Sequence, residues 1–227
     1  MLSDFLRNLR VGVLCSKRAP GLATLLHHPM RGVMYDVTCV VTTDESAVLH
    51  THDVPLLSHP IHPFCDSLGL PLRDDTARRL YDSETAQALH RLGVDTVLLL
   101  GYVYRITAPL LDAFPDRILN LHDSDLPKYP GLHATRDAVR AGETFTRSSV
   151  HIVTAEIDRG PVVLRSERFE VAPFAFAAAE AGEDDIVRAY AYAQREWMMR
   201  SAWGELAVRA MEMVAAGAVS EAAEAVA

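Results

Sequence analysis

The stretch that decides the fold of this chain is Ile118 to His133, with the sequence ILNLHDSDLPKYPGLH. It begins with apolar, branched residues, which predict a short buried strand. Asn120 and His122 lie two residues apart in that strand, so both side chains project from the same face. Prolines and a glycine follow and predict an irregular loop. An amide and an imidazole are therefore expected at the carboxyl end of a strand, where open α/β sheets bind ligands.

A second stretch, Ser148 to Val163, is expected to place a carboxylate near this pair. A run rich in β-branched residues predicts a strand, and an acidic loop from Glu156 to Asp158 follows it. A carboxylate on such a loop can orient an imidazole and favour its charged form. Taken alone, an Asn-x-His pair on a strand is more often a hydrogen-bonded polar pair at a sheet edge or in the core than a catalytic pair.

Together, the two stretches resemble the folate-dependent formyltransferases, most closely the branch that acts on glycinamide ribonucleotide. The family pattern is an N-x-H strand, a PKYPGLH loop, an SVH-x-VT strand and a D-x-GPV turn. The resemblance is clear from Arg78 to Phe169 and elsewhere extends only to the order of strands and helices. The matching positions are Asn120, His122, Ser124, Leu126 to His133, Ser149 to His151, Val153, Thr154, Asp158 and Gly160 to Val162.

The resemblance implies an α/β fold with a Rossmann-like, open and mostly parallel twisted sheet and helices on both faces. At 227 residues, 49% hydrophobic and 23% charged, the chain has the length and composition of an ordinary globular domain. We expect one formyltransferase domain over residues 1–227. Residues 11–100 are expected to form its substrate-side half, and residues 101–218 its folate-binding and catalytic half.

Apolar and helical periodicities outside the central stretch agree with this fold. Strands are predicted at Val11–Cys15, Tyr35–Thr42, Thr96–Leu100 and Val162–Val171. Helices are predicted at Leu22–Leu26, at Ser83–Leu92 with Ser83 as N-cap, and at Thr135–Ala141. The region from Asp184 to Val219 is expected to form one long helix or two helices split near Gly204, and the end after Gly217 is expected to fray.

By resemblance, the reaction transfers a formyl group from 10-formyltetrahydrofolate to a primary amine, first of all that of glycinamide ribonucleotide in purine biosynthesis. Such acyl transfer passes through a tetrahedral intermediate with negative charge on the formyl oxygen. Asn120 and His122 are the donors expected at that oxygen, and Asp158 is expected to keep His122 charged. The chemistry needs no metal ion and no nucleophilic side chain, and the sequence contains no zinc or G-x-S-x-G motif.

The folate is expected to bind after the strand Thr96–Leu100. In the family, a G-x-x-x-R-I segment at this position binds the pterin with its backbone. Arg78 matches a family arginine near the glutamate tail of the folate, although the pair Arg78–Arg79 is equally typical of solvated arginines. The resemblance thus assigns cofactor binding to Arg78, Tyr104, Arg105, Ile106, Thr107 and Asn120.

The amine substrate is expected at the loop after the first strand. The family loop holds a substrate phosphate with the backbone amides of Gly, Ser and Asn, whereas this chain has Ser16, Lys17 and Arg18. We expect these three residues to bind the substrate, the two cations by their charge, but a solvated basic loop is equally consistent. The family also places a glutamate of its last helix near the substrate. Glu196 is the candidate, and Gln194 competes because the register is open.

Charge and composition limit the partners. The net charge of −8 argues against a large nucleic-acid footprint, and no apolar run approaches the roughly 20 residues that cross a membrane. Met1 to Leu14 lacks the pattern of a signal peptide, and three cysteines without C-x-x-C spacing are typical of reduced thiols. We expect a cytoplasmic protein, a monomer or homodimer, that binds small molecules but neither nucleic acid nor membranes.

The segment His50 to Cys65 is rich in histidine and proline, and the pattern indicates no role for it. His59, His62 and Cys65 have side chains that can ligate a metal, but a second ligand pair at standard spacing is missing. We expect a loop and a short helix against the sheet edge, without a metal.

Three other functions are compatible with these residues. The altered first loop favours a formyltransferase that acts on an amino-sugar nucleotide or another amine. The same catalytic residues would hydrolyse 10-formyltetrahydrofolate if water replaced the amine, but relatives that do so carry a domain ahead of the catalytic one, and only Met1 to Arg10 precede the first predicted strand. A folate-binding module without catalysis is disfavoured because Asn120, His122 and Asp158 are all present.

Overall fold

The computed structural model of the protein describes residues 8–219. Its strands are β1 (Leu9–Cys15), β2 (Tyr35–Thr42), β3 (Leu56–Ser58), β4 (Thr96–Leu99), β5 (Ile118–His122), β6 (Phe145–Thr146), β7 (Ser149–Ile152), β8 (Val162–Arg165) and β9 (Phe169–Glu170). Its helices are α1 (Leu22–His27), α2 (Ile61–Ser67), α3 (Asp75–Arg91), α4 (Ala108–Ala113), α5 (Ala134–Arg140), α6 (Pro173–Glu180) and α7 (Asp184–Ala215). Most of the end that was expected to fray lies outside the described residues.

Seven strands form one sheet in the order β3-β2-β1-β4-β5-β7-β8, and β6 pairs with β9 in a small second sheet. β1 to β5 are parallel, whereas β7 and β8 are antiparallel to their neighbours. The chain moves outward from β1 to β3 and then places β4 on the other side of β1. The carboxyl ends of β1 and β4 therefore form a switch point, where such sheets bind ligands. The predicted open, mostly parallel α/β sheet is confirmed.

Helices cover both faces of the sheet because alternate strand residues are apolar on each side. Val11 and Val13 of β1 belong to the core formed with α1 and α7, whereas Leu14 belongs to the core formed with α3 and α4. Gly12 lies so close to α3 that a Cβ there would be 2.9 Å from the side chain of Leu89. Within residues 8–219, no helix combines the length and the apolar character needed to cross a bilayer.

Helix α3 begins at Asp75, not at Ser83 as the sequence pattern predicts. Its N-cap is Asp74, whose side chain accepts a 3.0 Å hydrogen bond from a backbone amide in the first turn. The prediction was wrong because the early turns bury polar side chains, among them Arg78 and Asp82, and so show no apolar stripe. Arg78 consequently lies within a helix and not ahead of one.

One other element differs from prediction, and the structure decides between two alternatives for the last helix. The expected strand Val162–Val171 is divided between the sheets, since β8 pairs with β7 and β9 pairs with β6. The chain leaves the large sheet at Ser166, whose hydroxyl accepts a 2.9 Å hydrogen bond from the amide of Ser148. The last long helix is not split, because α7 runs through Gly204 without a break.

Gly204 marks a close contact between helices rather than a helix end. A Cβ on Gly204 would lie 2.3 Å from Oγ1 of Thr24 on α1. A Cβ on Gly21, whose φ is +90°, would lie 2.9 Å from the backbone nitrogen of Gly204. The two glycines thus let the backbone of α7 touch the loop that precedes α1.

We expect Gly204→Ala to destabilise the protein by about 1–2 kcal/mol, because overpacking against Thr24 outweighs the gain in helix propensity. Urea unfolding measures this change. Ser201→Ala on the exposed face of α7 is the matched control and should alter the free energy of unfolding by less than about 0.5 kcal/mol. Thr24→Ala should reduce the penalty of Gly204→Ala, and equal penalties in both backgrounds would contradict the proposed contact.

Candidate active site

A cavity of about 270 Å³ lies at the carboxyl ends of β4 and β5. Its walls are the segment after β4, the end of β5 with the loop that follows, the loop after β7, and one side of α7. The lining residues are Leu99, Gly101 to Ile106, Asn120 to Asp123, Gly131, Leu132, His151, Val153, Thr154, Ile157, Asp158, Arg195 and Trp203. The two stretches that the sequence analysis singled out therefore meet in one cavity.

Asn120 is oriented by a histidine from the neighbouring strand. Because β7 runs antiparallel to β5, His151 lies opposite Asn120. The side-chain nitrogen of Asn120 lies 3.0 Å from Nε2 of His151, and Nδ1 of His151 lies 3.0 Å from the carbonyl oxygen of Ile152. The imidazole of His151 thus holds the side-chain amide of Asn120 in one orientation.

Asp158 joins the two histidines of the site. Its Oδ2 lies 3.7 Å from Nδ1 of His122, and its Oδ1 lies 3.5 Å from Nε2 of His151. The backbone amide of Gly131 donates a 2.7 Å hydrogen bond to Oδ2. One carboxylate thus connects β5, β7 and the loop after β5.

The loop after β7 has to turn back to bring Asp158 to His122, because an antiparallel β7 ends beside the start of β5. Its return passes so close to β7 that a Cβ on Gly160 would lie 1.8 Å from the carbonyl oxygen of Ile152. Only glycine fits at that position. Asp158 itself has a φ of +53°, a left-handed conformation that aspartate tolerates better than most residues.

The pKa of Asp158 lies well below its ordinary range. Burial by itself raises the pKa of this carboxyl group, but the hydrogen bond to His151, the charge of His122 and the amide of Gly131 outweigh it and lower the pKa to about 2. Asp158 is therefore ionised at neutral pH and presents a fixed negative charge to both histidines.

Hydrogen bonds hold the loop between β5 and α5 over His122. Ser124 donates a 2.9 Å hydrogen bond to the carbonyl oxygen of Tyr129, and Ser149 of β7 donates a 2.7 Å bond to the carbonyl oxygen of Ser124. The carbonyl oxygen of Tyr129 lies 3.3 Å from Nε2 of His122. Oxygen atoms thus face both ring nitrogens of His122.

The wall formed by the segment after β4 is held by a buried carboxylate. Asp82 of α3 is fully buried, and its Oδ2 accepts hydrogen bonds of 2.6 Å from both the amide and the hydroxyl of Thr107. Burial raises the pKa of Asp82, although the bonds from Thr107 and the charge of Arg78 oppose the rise. Arg78 is also buried, which excludes the solvated alternative; it donates a 2.6 Å bond to the carbonyl oxygen of Arg105 and lies over the ring of Tyr104.

The residues predicted to bind the folate divide into two groups. Tyr104, Arg105 and Ile106 line the cavity together with Asn120. Arg78 and Thr107 do not line it and instead support its wall from behind.

The loop after β1 lies beside the cavity. Ser16 is buried, and its hydroxyl accepts a 3.2 Å hydrogen bond from the amide of Val103 in the cavity wall. Lys17 is exposed. Of the predicted substrate residues, Ser16 thus contacts the wall of the site, whereas Lys17 extends into solvent.

The last helix brings Glu196, and not Gln194, to this loop. Arg18 and Glu196 form an ion pair with two hydrogen bonds, of 3.1 Å and 2.7 Å. Gln194 is buried, and its side-chain nitrogen donates to the hydroxyl of Thr146 and to backbone carbonyl oxygens. The structure therefore resolves the register that the sequence left open.

The histidine-rich segment forms β3 and the short helix α2. His59 stacks on Tyr81 at 4.1 Å between ring centroids, Cys65 is buried against the same residue, and His62 lies 3.3 Å from the hydroxyl of Tyr104. Across residues 8–219, no three His, Cys, Asp or Glu side chains lie close enough together to hold a metal ion.

Several lining residues were not predicted as members of the site, among them His151, Asp123 and Arg195. His151 belongs to the S-V-H motif, which was the available signal. Asp123 and Arg195 are joined by a 3.1 Å hydrogen bond between residues 72 positions apart, and no local pattern indicates such a contact.

The family model described as formyl transferase matches residues 9–206 of this chain. The chain is 31% identical over 169 residues to the trifunctional purine biosynthetic protein adenosine-3 of Drosophila melanogaster, a match that covers 73% of this chain and 12% of that protein. It is 38% identical over 91 residues to the phosphoribosylglycinamide formyltransferase of Escherichia coli (strain K12), which covers 40% of this chain and 43% of that enzyme. The matched part spans less than half the length of either relative.

The fold is similar to that of glycinamide ribonucleotide transformylase 1 from Symbiobacterium toebii. The two structures superpose with a TM-score of 0.61 at 28% identity, and the match covers 87% of this chain and 88% of that one.

We expect Asp158→Asn to lower the free energy of unfolding by about 2 kcal/mol at neutral pH, because the folded protein depresses the pKa of Asp158 from near 3.8 to about 2. A depressed carboxyl pKa stabilises the protein fully above about pH 4, and this stabilisation is lost as the pH falls toward 2. Urea unfolding of both proteins between pH 7 and pH 3 measures the difference, which should shrink on acidification. A difference that stays constant with pH would contradict the role of the ionised carboxylate.

Proposed function

Because the chain belongs to the formyl transferase family, we propose that it transfers a formyl group from 10-formyltetrahydrofolate to the primary amine of glycinamide ribonucleotide, a step of purine biosynthesis. The names of the Escherichia coli relative and of the Symbiobacterium toebii structure support this substrate. The observation that carries the proposal is that Asn120, His122 and Asp158 surround one cavity at the carboxyl ends of β4 and β5.

Asn120 and His122 act as hydrogen-bond donors to the oxygen that becomes negative during formyl transfer. One preorganised donor of this kind is typically worth about 2.7–4 kcal/mol of the activation barrier. Asp158 is ionised, and its Oδ2 lies 3.7 Å from Nδ1 of His122, where it orients the imidazole. His151 fixes the Asn120 amide from the opposite strand, so this donor does not have to reorient during the reaction.

The cavity suits a folate, which supplies the formyl group when it is bound. Apolar side chains of Leu99, Ile106 and Val153 lie beside the backbone of residues 101–106, and a flat ring with polar edges requires both. Tyr104, Arg105, Ile106 and Asn120 are the proposed contacts. Arg78 and Thr107 hold this wall in place through their bonds to Arg105 and Asp82.

The amine substrate is proposed to enter between the loop after β1 and α7. Ser16, Lys17, Arg18 and Glu196 lie on this side. The amine has to reach the formyl carbon while Asn120 and His122 bond its oxygen, so orientation rather than a covalent enzyme intermediate drives the rate.

An amino-sugar nucleotide or another amine is the second candidate substrate. The first loop favours it, because Ser16, Lys17 and Arg18 stand where the family has a loop of Gly, Ser and Asn. A further alternative, hydrolysis of 10-formyltetrahydrofolate, predicts release of tetrahydrofolate when no amine is present.

We expect His122→Ala to reduce kcat by about 10²–10³-fold, because it removes one donor to the developing oxyanion. The measurement is the absorbance change on release of tetrahydrofolate, with 10-formyltetrahydrofolate and glycinamide ribonucleotide as substrates. Folate binding, followed by quenching of protein fluorescence, should persist in the variant.

His50→Ala, a change at an exposed histidine that does not line the cavity, is the matched control and should retain full activity. Turnover that needs the amine and His122 supports the proposal. Equal turnover with and without the amine would identify a hydrolase, folate binding without turnover would redirect the search to other amines, and no folate binding would refute the proposal.

A further inference from the structure

Arg195 of α7 is a cation in the wall of the catalytic cavity that the proposed chemistry does not use. Its side chain is 32% exposed, and its Nε donates a 3.1 Å hydrogen bond to Oδ2 of Asp123. Neither terminal nitrogen makes a hydrogen bond or an ion pair with any residue between 8 and 219. The guanidinium group is thus held through Nε by Asp123, and its two terminal nitrogens can donate to a ligand.

Asp123, which holds Arg195, is itself fixed in place. Asp123 is buried and directly follows His122 in the chain, and its Oδ2 also accepts a 2.8 Å hydrogen bond from the hydroxyl of the buried Thr135. Asp123 is therefore a positioning residue that fixes Arg195 next to the catalytic strand. A cation held this way loses little side-chain entropy when it binds a ligand.

Arg18 offers no comparable site. Both of its terminal nitrogens are bonded to the two carboxylate oxygens of Glu196, so its charge is already matched. The helix that follows, α1, has only six residues, and Pro20 just before it contributes no amide donor.

Resting on the proposed function, we propose that Arg195 binds an oxyanion of the amine substrate, either a phosphate or a carboxylate, and so determines which amines are accepted. Two parallel N–H groups of a guanidinium match two oxygen atoms of either anion. Arg195 would then anchor the substrate on the α7 side while its amine meets the formyl carbon beside His122.

The kinetic test compares Arg195→Gln, Arg195→Lys and the matched control Arg209→Gln, which removes an exposed arginine of the same helix. Arg195→Gln should raise KM for glycinamide ribonucleotide by about 10- to 100-fold, the loss expected for a charged hydrogen bond. Its kcat and its KM for the folate should change less than about twofold, because a uniform binding contact affects KM alone. Arg195→Lys should recover part of the loss, and Arg209→Gln should behave as the wild type.

The source of the oxyanion is tested with the dephosphorylated substrate, glycinamide ribonucleoside. If Arg195 binds the phosphate, the wild type prefers the ribonucleotide and Arg195→Gln loses that preference. If Arg18→Gln removes the preference and Arg195→Gln keeps it, the anion binds at the first loop and the inference is overturned.

A binding measurement separates this inference from the proposed substrate. Inorganic phosphate or acetate, at matched ionic strength, should raise the Tm of the wild type and of Arg209→Gln but not that of Arg195→Gln. A shift with phosphate identifies a phosphate site, and a shift with acetate alone identifies a carboxylate site. This result would stand even if glycinamide ribonucleotide is not turned over. No shift in the wild type, or equal shifts in all three proteins, would refute the anion site.

Discussion

The structure of the site depends on one constraint, the satisfaction of the Asp158 carboxylate. A largely buried anion is costly unless hydrogen bonds and opposite charges surround it. Asp158 finds these partners on three segments at once: Gly131 from the loop after β5, His122 from β5 and His151 from β7. The two loops and the two strands cannot move apart without leaving the charge unpaired, so the constraint that stabilises the fold also fixes the geometry of the donors.

Two more carboxylates serve the other walls in the same way. Asp82 holds the segment after β4 through Thr107, and Asp123 holds Arg195 of α7. Each is buried, and each is bonded to a group on an element distant in the sequence. The cavity thus lies between three walls, each held by one carboxylate. Its shape follows from the positions of Asp82 on α3, Asp123 directly after β5 and Asp158 in the loop after β7. Preorganisation of this kind keeps reactive groups in place without waiting for a ligand.

Sequence patterns predicted the central strand, its two inward side chains and the overall sheet, because strand periodicity and the family motifs are local. They failed where polar side chains are buried, as at the start of α3. Arg78 and Asp82 lie on the buried face of this helix, where a sequence pattern expects apolar residues. They also could not distinguish a helix end from a close contact at Gly204. The reason for a glycine there is the close approach of Thr24, a residue distant in the sequence. Long-range partners such as Asp123 and Arg195 have no signature in a single sequence.

The contact between Gly21 and Gly204 sets the distance between α7 and the first loop. Since the backbone of α7 rests directly on the first loop, the separation of these elements is as small as two chains allow. Glu196 and Arg18 span the gap just above that contact. A single added methyl group at either glycine would clash with the opposite element and push α7 away from the first loop. The spacing of these two elements is therefore set by two residues without side chains, neither of which lines the cavity.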